Sequence, residues 1–174
     1  ALDELSKNGN QYIGILGIDI IIDRTGSLNV IEFNPFFKEP DAQCILELLD
    51  ENLTDVLKAS INGSLVDIYS EIRQKPLYSA SVVLSAGNYP SEGKYGSTIT
   101  GIEEAQEHSE VAHFNTIKNS DGDFLTAGGR TITVTTSAST LEQAAKRAYE
   151  SVALISFDSM KYRKDIGKTI LIGC

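Results

Sequence analysis

The chain has 174 residues, room for one ordinary domain or two small ones, and its 41% hydrophobic and 22% charged composition is that of a soluble globular protein. Twenty-four acidic against 15 basic residues leave a net charge of -9, which repels a nucleic-acid backbone and makes nucleic acid an unexpected partner. No apolar run approaches the roughly 18 residues of a membrane helix and no signal peptide opens the sequence, so a membrane is not expected either. Cys44 and Cys174 lie far apart and show no metal-site spacing, and a reduced cytoplasmic setting is the simplest reading.

In chain order, the polar segment from Ala1 to Asn10 reads as the end of a helix stopping near Gly9, as if the chain were cut from something longer. Residues 11–23 are rich in isoleucine, Asp23-Arg24-Thr25-Gly26 is a turn signal, and Leu28 to Asn34 is the partner strand of an antiparallel hairpin. The isoleucine run from Ile18 to Ile22, interrupted only by Asp19, predicts burial on both faces and makes Asp19 costly unless something pairs with it. Pro40 to Leu49 reads as a helix with Pro at its first position and Asp41 at its positive end, which puts Cys44 in a core rather than in a nucleophile's place. Thr54 is a candidate N-cap for a second helix that Gly63 would stop. From about Tyr78 a mostly β unit follows, with strands expected at 80–86, 97–100 and 111–117. A hairpin is expected from 123–126 and 131–136 around Gly128-Gly129. A helix from about Thr140 to Ile155 closes the pattern, with Ser139 and Glu142 in capping-box spacing.

The stretch of most chemical interest is Leu28 to Gln43. Glu32 and Asn34 alternate on a strand and therefore project from the same face, bringing one carboxylate and one amide oxygen together. Two hard oxygen donors in this pattern suit Mg²⁺ held against a phosphate, and a polar strand edge facing water is the plain alternative. Glu32-Phe33-Asn34-Pro35-Phe36-Phe37-Lys38-Glu39-Pro40-Asp41-Ala42-Gln43 resembles the metal-binding strand and following helix of the phosphoribosylamine–glycine ligases (glycinamide ribonucleotide synthetases), ATP-grasp enzymes of purine synthesis. That family typically reads Glu-Phe-Asn-x-Arg-Phe-Gly-Asp-Pro-Glu-x-Gln here, so this chain carries Phe36 for the arginine and Lys38 for the glycine, and exchanges each acid for the other. Lys38 is the obvious substitute cation. The resemblance also draws attention to Asp19, since many ATP-grasp enzymes hold their metal pair with a carboxylate on the preceding strand, although the glycine ligases usually have a small residue there. A strand-end Asp reaching solvent is the other reading.

The second unit is similar to the same family. Ser85-Ala86-Gly87-Asn88-Tyr89-Pro90, Ile99-Thr100-Gly101, His113-Phe114-Asn115-Thr116, Thr126-Ala127-Gly128-Gly129-Arg130 and Tyr162-Arg163-Lys164-Asp165-Ile166-Gly167 follow its motifs in order. Arg130, directly after a tight turn, is a candidate for a phosphate or carboxylate ligand, with a surface ion pair as the alternative. His113 reads as a hydrogen-bonded structural residue, and Arg163 with Asp165 as a pair pinning the tail.

The resemblance implies an α+β chain: residues 1–72 as the C-terminal portion of an ATP-grasp domain, then 73–174 as a small β-rich domain of the biotin-carboxylase-like type with one long helix. It further implies a parent enzyme that uses ATP and Mg²⁺ or Mn²⁺ to join glycine to 5-phosphoribosylamine, with Glu32, Asn34 and Asp19 as metal ligands and Arg130 as a cofactor-binding residue. The glycine-rich loop and phosphate-binding lysines of such an enzyme belong to an N-terminal part that this chain would need as a partner, so the 174 residues alone are expected to be inactive. The alternative is a catalytically degenerate relative serving binding or assembly, for which Glu32 would be tied up in a salt bridge, with Lys38 the natural partner.

Overall fold

The computed structural model describes residues 2–168. Its elements are α1 (Leu2–Lys7), β1 (Gly17–Ile22), β2 (Leu28–Asn34), α2 (Asp41–Leu48), α3 (Leu53–Ile61), α4 (Leu65–Ile68), β3 (Tyr78–Ser85), α5 (Ile102–Gln106), β4 (Glu110–His113), β5 (Thr116–Lys118), β6 (Phe124–Thr126), β7 (Arg130–Ala138) and α6 (Leu141–Val152). This is a mixed α+β fold in which every strand pairing is antiparallel. Among the described residues no helix is long and apolar enough to cross a membrane. The chain divides into two compact units, Ala1–Glu39 with Leu49–Gln74, and Pro40–Leu48 with Lys75–Cys174.

In the first unit, β1 and β2 form a two-stranded sheet. Asp23 closes the turn between them: its Oδ1 accepts from the Thr25 and Ser27 amides at 2.8 and 3.0 Å and from the Thr25 hydroxyl at 2.6 Å. Gly26 takes φ +83° there, a conformation that glycine adopts without a Cβ penalty. The register pairs Asp19 with Glu32 and Gly17 with Asn34, and then shifts at Asp19/Ile20, leaving Ile31 as an extra residue on β2. The expected burial of the isoleucine run is not what is found: Ile18, Ile20, Ile21 and Ile22 are 48% to 64% exposed. Among the described residues only two strands make up this sheet, so neither face gains the second layer that would cover it. Helix α3 is capped by Asn52, whose Oδ1 accepts from the amides of Thr54 and Asp55, so the cap lies two residues before the expected Thr54.

The second unit is built on the sheet β3-β7-β4. Alternate residues on β3 and β7 meet α6 in a core of Val82, Leu84, Ile132, Val134, Ala148, Val152 and Ile155. Helix α2 belongs here by its hydrogen bonds: the Lys75 amide donates to the Leu48 carbonyl at 2.8 Å, the Ser79 hydroxyl to the Cys44 carbonyl at 3.0 Å, and the Ser137 hydroxyl to Glu47 Oε1 at 2.5 Å. Those bonds hold it against β3 and β7, although sequence order alone would place it with the first unit.

Three strand expectations change. Residues 111–117 form two strands, because the chain breaks at Phe114-Asn115 and passes from one sheet to another. The expected hairpin of 123–126 with 131–136 does not form: β6 pairs with β5, while β7 runs between β3 and β4. The Ala127 amide donates to the Asn115 carbonyl at 2.9 Å and keeps β6 with its neighbour, so Gly128-Gly129 joins two sheets rather than two strands of one. Residues 97–100 make only isolated bridges, through Thr98 and Thr100. The long helix is shorter than expected and is capped by Thr140, whose hydroxyl accepts from the Gln143 amide at 3.2 Å.

Candidate functional site

The candidate residues of the first unit meet on one face of β1 and β2. Asp19 and Glu32 are direct cross-strand partners, and Asn34 lies two residues from Glu32 on the same side. Asn34 is 8% exposed and its Nδ2 donates to Glu32 Oε1 at 3.4 Å. Lys38 completes the cluster, with Nζ 2.5 Å from Asp19 Oδ2 and 3.1 Å from Glu32 Oε1. Strand β2 ends at Asn34, next to Pro35, which has no amide to donate, so Lys38 arrives from the following loop rather than along a continued strand. The partner that Asp19 requires is therefore Lys38, a pairing between residues 19 positions apart that local sequence does not reveal.

The electrostatics follow from this contact. The ammonium of Lys38 holds the Asp19 carboxyl below its ordinary range, and burial opposes this only in part. Reciprocally, Asp19 first and Glu32 second raise the Lys38 ammonium. The donor chemistry of Asp19, Glu32 and Asn34 suits a hard cation, but the cation seated between the carboxylates is the chain's own. As arranged, these residues do not fit a divalent ion without displacing Lys38. Among the described residues there is no group of three or more His, Cys, Asp or Glu side chains able to hold a metal.

Arg130 opens β7, far in sequence from this cluster. Its guanidinium lies over the Phe114 ring, 5.5 Å from the centroid, and its carbonyl accepts from Asn115 Nδ2 at 2.8 Å. Among the described residues it makes no ion pair. The preceding glycines leave no room for a side chain: a Cβ on Gly129 would lie 2.4 Å from Tyr89 Cδ2, and one on Gly128 2.7 Å from Asn115 Cβ. The start of β7 is thus held by close packing, and Arg130 presents its charge at the surface.

His113 Nδ1 lies 2.9 Å from the Thr116 hydroxyl and its ring is stacked 4.3 Å from Phe124. Burial first, and Lys118 second, push its pKa down. These are the contacts of a structural histidine. Arg163 and Asp165 pair through two hydrogen bonds at 3.0 and 2.8 Å. Cys44 is half-buried, and burial raises its thiol pKa, which suits a packing residue rather than a nucleophile.

A mixed α+β chain in which an antiparallel strand pair precedes a small β unit and a helix matches the C-terminal part of a ligase of purine biosynthesis. The chain belongs to the phosphoribosylglycinamide synthetase family, whose C-domain model matches residues 79–169. A phosphoribosylamine–glycine ligase of Neisseria meningitidis serogroup A is 38% identical over 162 residues, covering 93% of this chain and 38% of that protein. The crystal structure of phosphoribosylamine–glycine ligase from Thermotoga maritima superposes with a TM-score of 0.79 at 25% identity, over 92% of this chain and 39% of that one. The N5-carboxyaminoimidazole ribonucleotide synthetase of Thermotoga maritima shares the fold, with a TM-score of 0.55 at 18% identity over 90% of this chain and 40% of its own. This chain thus spans somewhat over a third of the length of the relatives it matches.

Proposed function

We propose that this chain is the C-terminal portion of an ATP-dependent ligase that joins glycine to 5-phosphoribosylamine through a glycyl phosphate, giving glycinamide ribonucleotide, ADP and phosphate. The observation that carries the reading is the order of parts: the Glu32-Phe33-Asn34 strand pair precedes a unit matched by the family's C domain, and the likeness to the ligases runs over 93% of the chain. On this reading residues 1–72 complete an ATP-grasp domain and 73–174 form the C-terminal domain. The exposed isoleucines of β1, with Val30, Ile31 and Phe33 of β2, are the surface that the rest of that ATP-grasp domain covers. The enzyme works in the cytoplasm with ATP; Glu32, Asn34 and Asp19 would offer oxygen donors to Mg²⁺ or Mn²⁺ only with Lys38 displaced from between the carboxylates. Arg130, exposed and free of an ion pair among the described residues, is the candidate for a nucleotide or substrate phosphate.

One observation favours a second reading. Glu32 is held by Lys38, as a degenerate relative retained for binding or assembly requires. Calorimetric titration of the natural polypeptide carrying this sequence with Mg-ATP, beside its Glu32→Gln variant, separates the two. Binding that weakens in the variant supports the ligase. No binding by either protein supports the degenerate relative.

A further inference from the structure

We infer that Lys38 is a tethered cation that takes the place of a divalent ion at the Asp19–Glu32 pair. The geometry is specific: one ammonium lies within hydrogen-bond distance of a carboxylate from each strand, at 2.5 and 3.1 Å, and the two carboxylates are cross-strand partners held in register by the sheet. Lys38 Nζ brings three donors and no acceptor, so two of its protons satisfy Asp19 and Glu32 and one remains for a further oxygen. Glu32 Oε1 also accepts from Asn34 Nδ2 at 3.4 Å, so the amide faces this carboxylate as a donor. A free Mg²⁺ or Mn²⁺ arriving here meets a like charge already seated between its ligands and must displace it.

A lysine carries one positive charge instead of two and offers no exchangeable coordination positions, so any phosphate meeting this face meets a fixed ammonium donor rather than a metal bridge. Without metal in the medium, Lys38 offsets one of the two carboxylate charges and leaves one net negative charge locally.

Cation binding at this pair is independent of ligase activity, so the metal alone is the probe. Mn²⁺ is titrated without nucleotide into the natural polypeptide carrying this sequence and into its E32Q, K38M and K38G variants, with free Mn²⁺ followed by electron paramagnetic resonance. The natural protein and E32Q are expected to bind Mn²⁺ alike. K38M and K38G are expected to gain one site at least about tenfold tighter, since a like charge a few ångströms away is removed. Adding E32Q to K38M abolishes the gain. Lys38 lies on a partly exposed loop, and two replacements of different size guard against a local packing effect. One Mn²⁺ bound by the natural protein and lost in E32Q overturns the inference, as does the absence of any gain in both Lys38 variants. Ligase activity, whether found or not, leaves this result unchanged.

Discussion

Replacing Gly101 by alanine tests how the second unit is closed. Gly101 takes φ +78° and stands at the start of α5, and an added Cβ would lie 1.9 Å from the Leu154 carbonyl oxygen and 2.7 Å from its carbon. Those are backbone atoms, so no side chain can swing away. The neighbouring bridge, in which Thr100 and Ser156 exchange amide–carbonyl bonds at 2.9 and 3.1 Å, must open or shift. Left-handed backbone costs an alanine about 1–2 kcal/mol. Two strained hydrogen bonds add about 0.5–1.5 kcal/mol each. Gly101→Ala should therefore cost about 2–5 kcal/mol in all. Gly122 is the control: its φ is +93°, yet a Cβ there meets nothing within 4 Å. Gly122→Ala should pay only the backbone cost, about 1–2 kcal/mol. Urea unfolding followed by far-ultraviolet circular dichroism compares the two. Equal losses of stability would refute the argument that contact with Leu154, rather than φ alone, demands glycine at position 101.

Three further outcomes follow from the same contacts. Leu84→Ala, at a fully buried position in the core between β3, β7 and α6, should lower the stability of the second unit by about 2–5 kcal/mol in the same assay. Asn52→Ala removes the acceptor for two amides at the start of α3 and should cost about 0.5–2 kcal/mol, while Asn52→Asp retains most of the stability. The Asp23 carboxyl is held below its ordinary range, first by the Thr25 hydroxyl and then by the Ser27 and Thr25 amides. The folded state therefore prefers the carboxylate, and its contribution is complete above the unfolded pKa and lost as pH falls through the lowered folded value. The stability difference between the natural protein and Asp23→Ala should accordingly be present at neutral pH and shrink as acidification carries the solution below the ordinary aspartate range, and a difference that grows on acidification would contradict the assignment.

Much of this architecture can be read from local signals. The β1–β2 hairpin declares itself through Asp23-Arg24-Thr25-Gly26 between two β-prone runs, and α6 through its apolar face, although its cap is Thr140 and not the Ser139 of the expected capping box. Glu32 and Asn34 share a face because strands alternate, which needs no tertiary information. What escapes a local reading is pairing at a distance. β7 looks like the second arm of a hairpin with β6, but Asn115 holds β6 to β5 and β7 crosses to β3 and β4. The cap at Asn52 was displaced from Thr54 because both residue types can cap, and only backbone geometry decides between them. The isoleucine run carries the signature of a strand buried on both faces, yet it is exposed among the described residues, where that pattern finds only one partner strand. Lys38 was legible as a spare cation, but its position between Asp19 and Glu32 depends on how the loop turns after Pro35.

Mass-spectrometric detection of glycinamide ribonucleotide made by the natural polypeptide carrying this sequence, supplied with ATP, glycine, Mg²⁺ and 5-phosphoribosylamine, decides whether it is a glycine ligase. Product accompanied by ADP is expected, both requiring glycine. A folded polypeptide that binds these substrates yet forms neither product nor ADP would contradict the ligase reading.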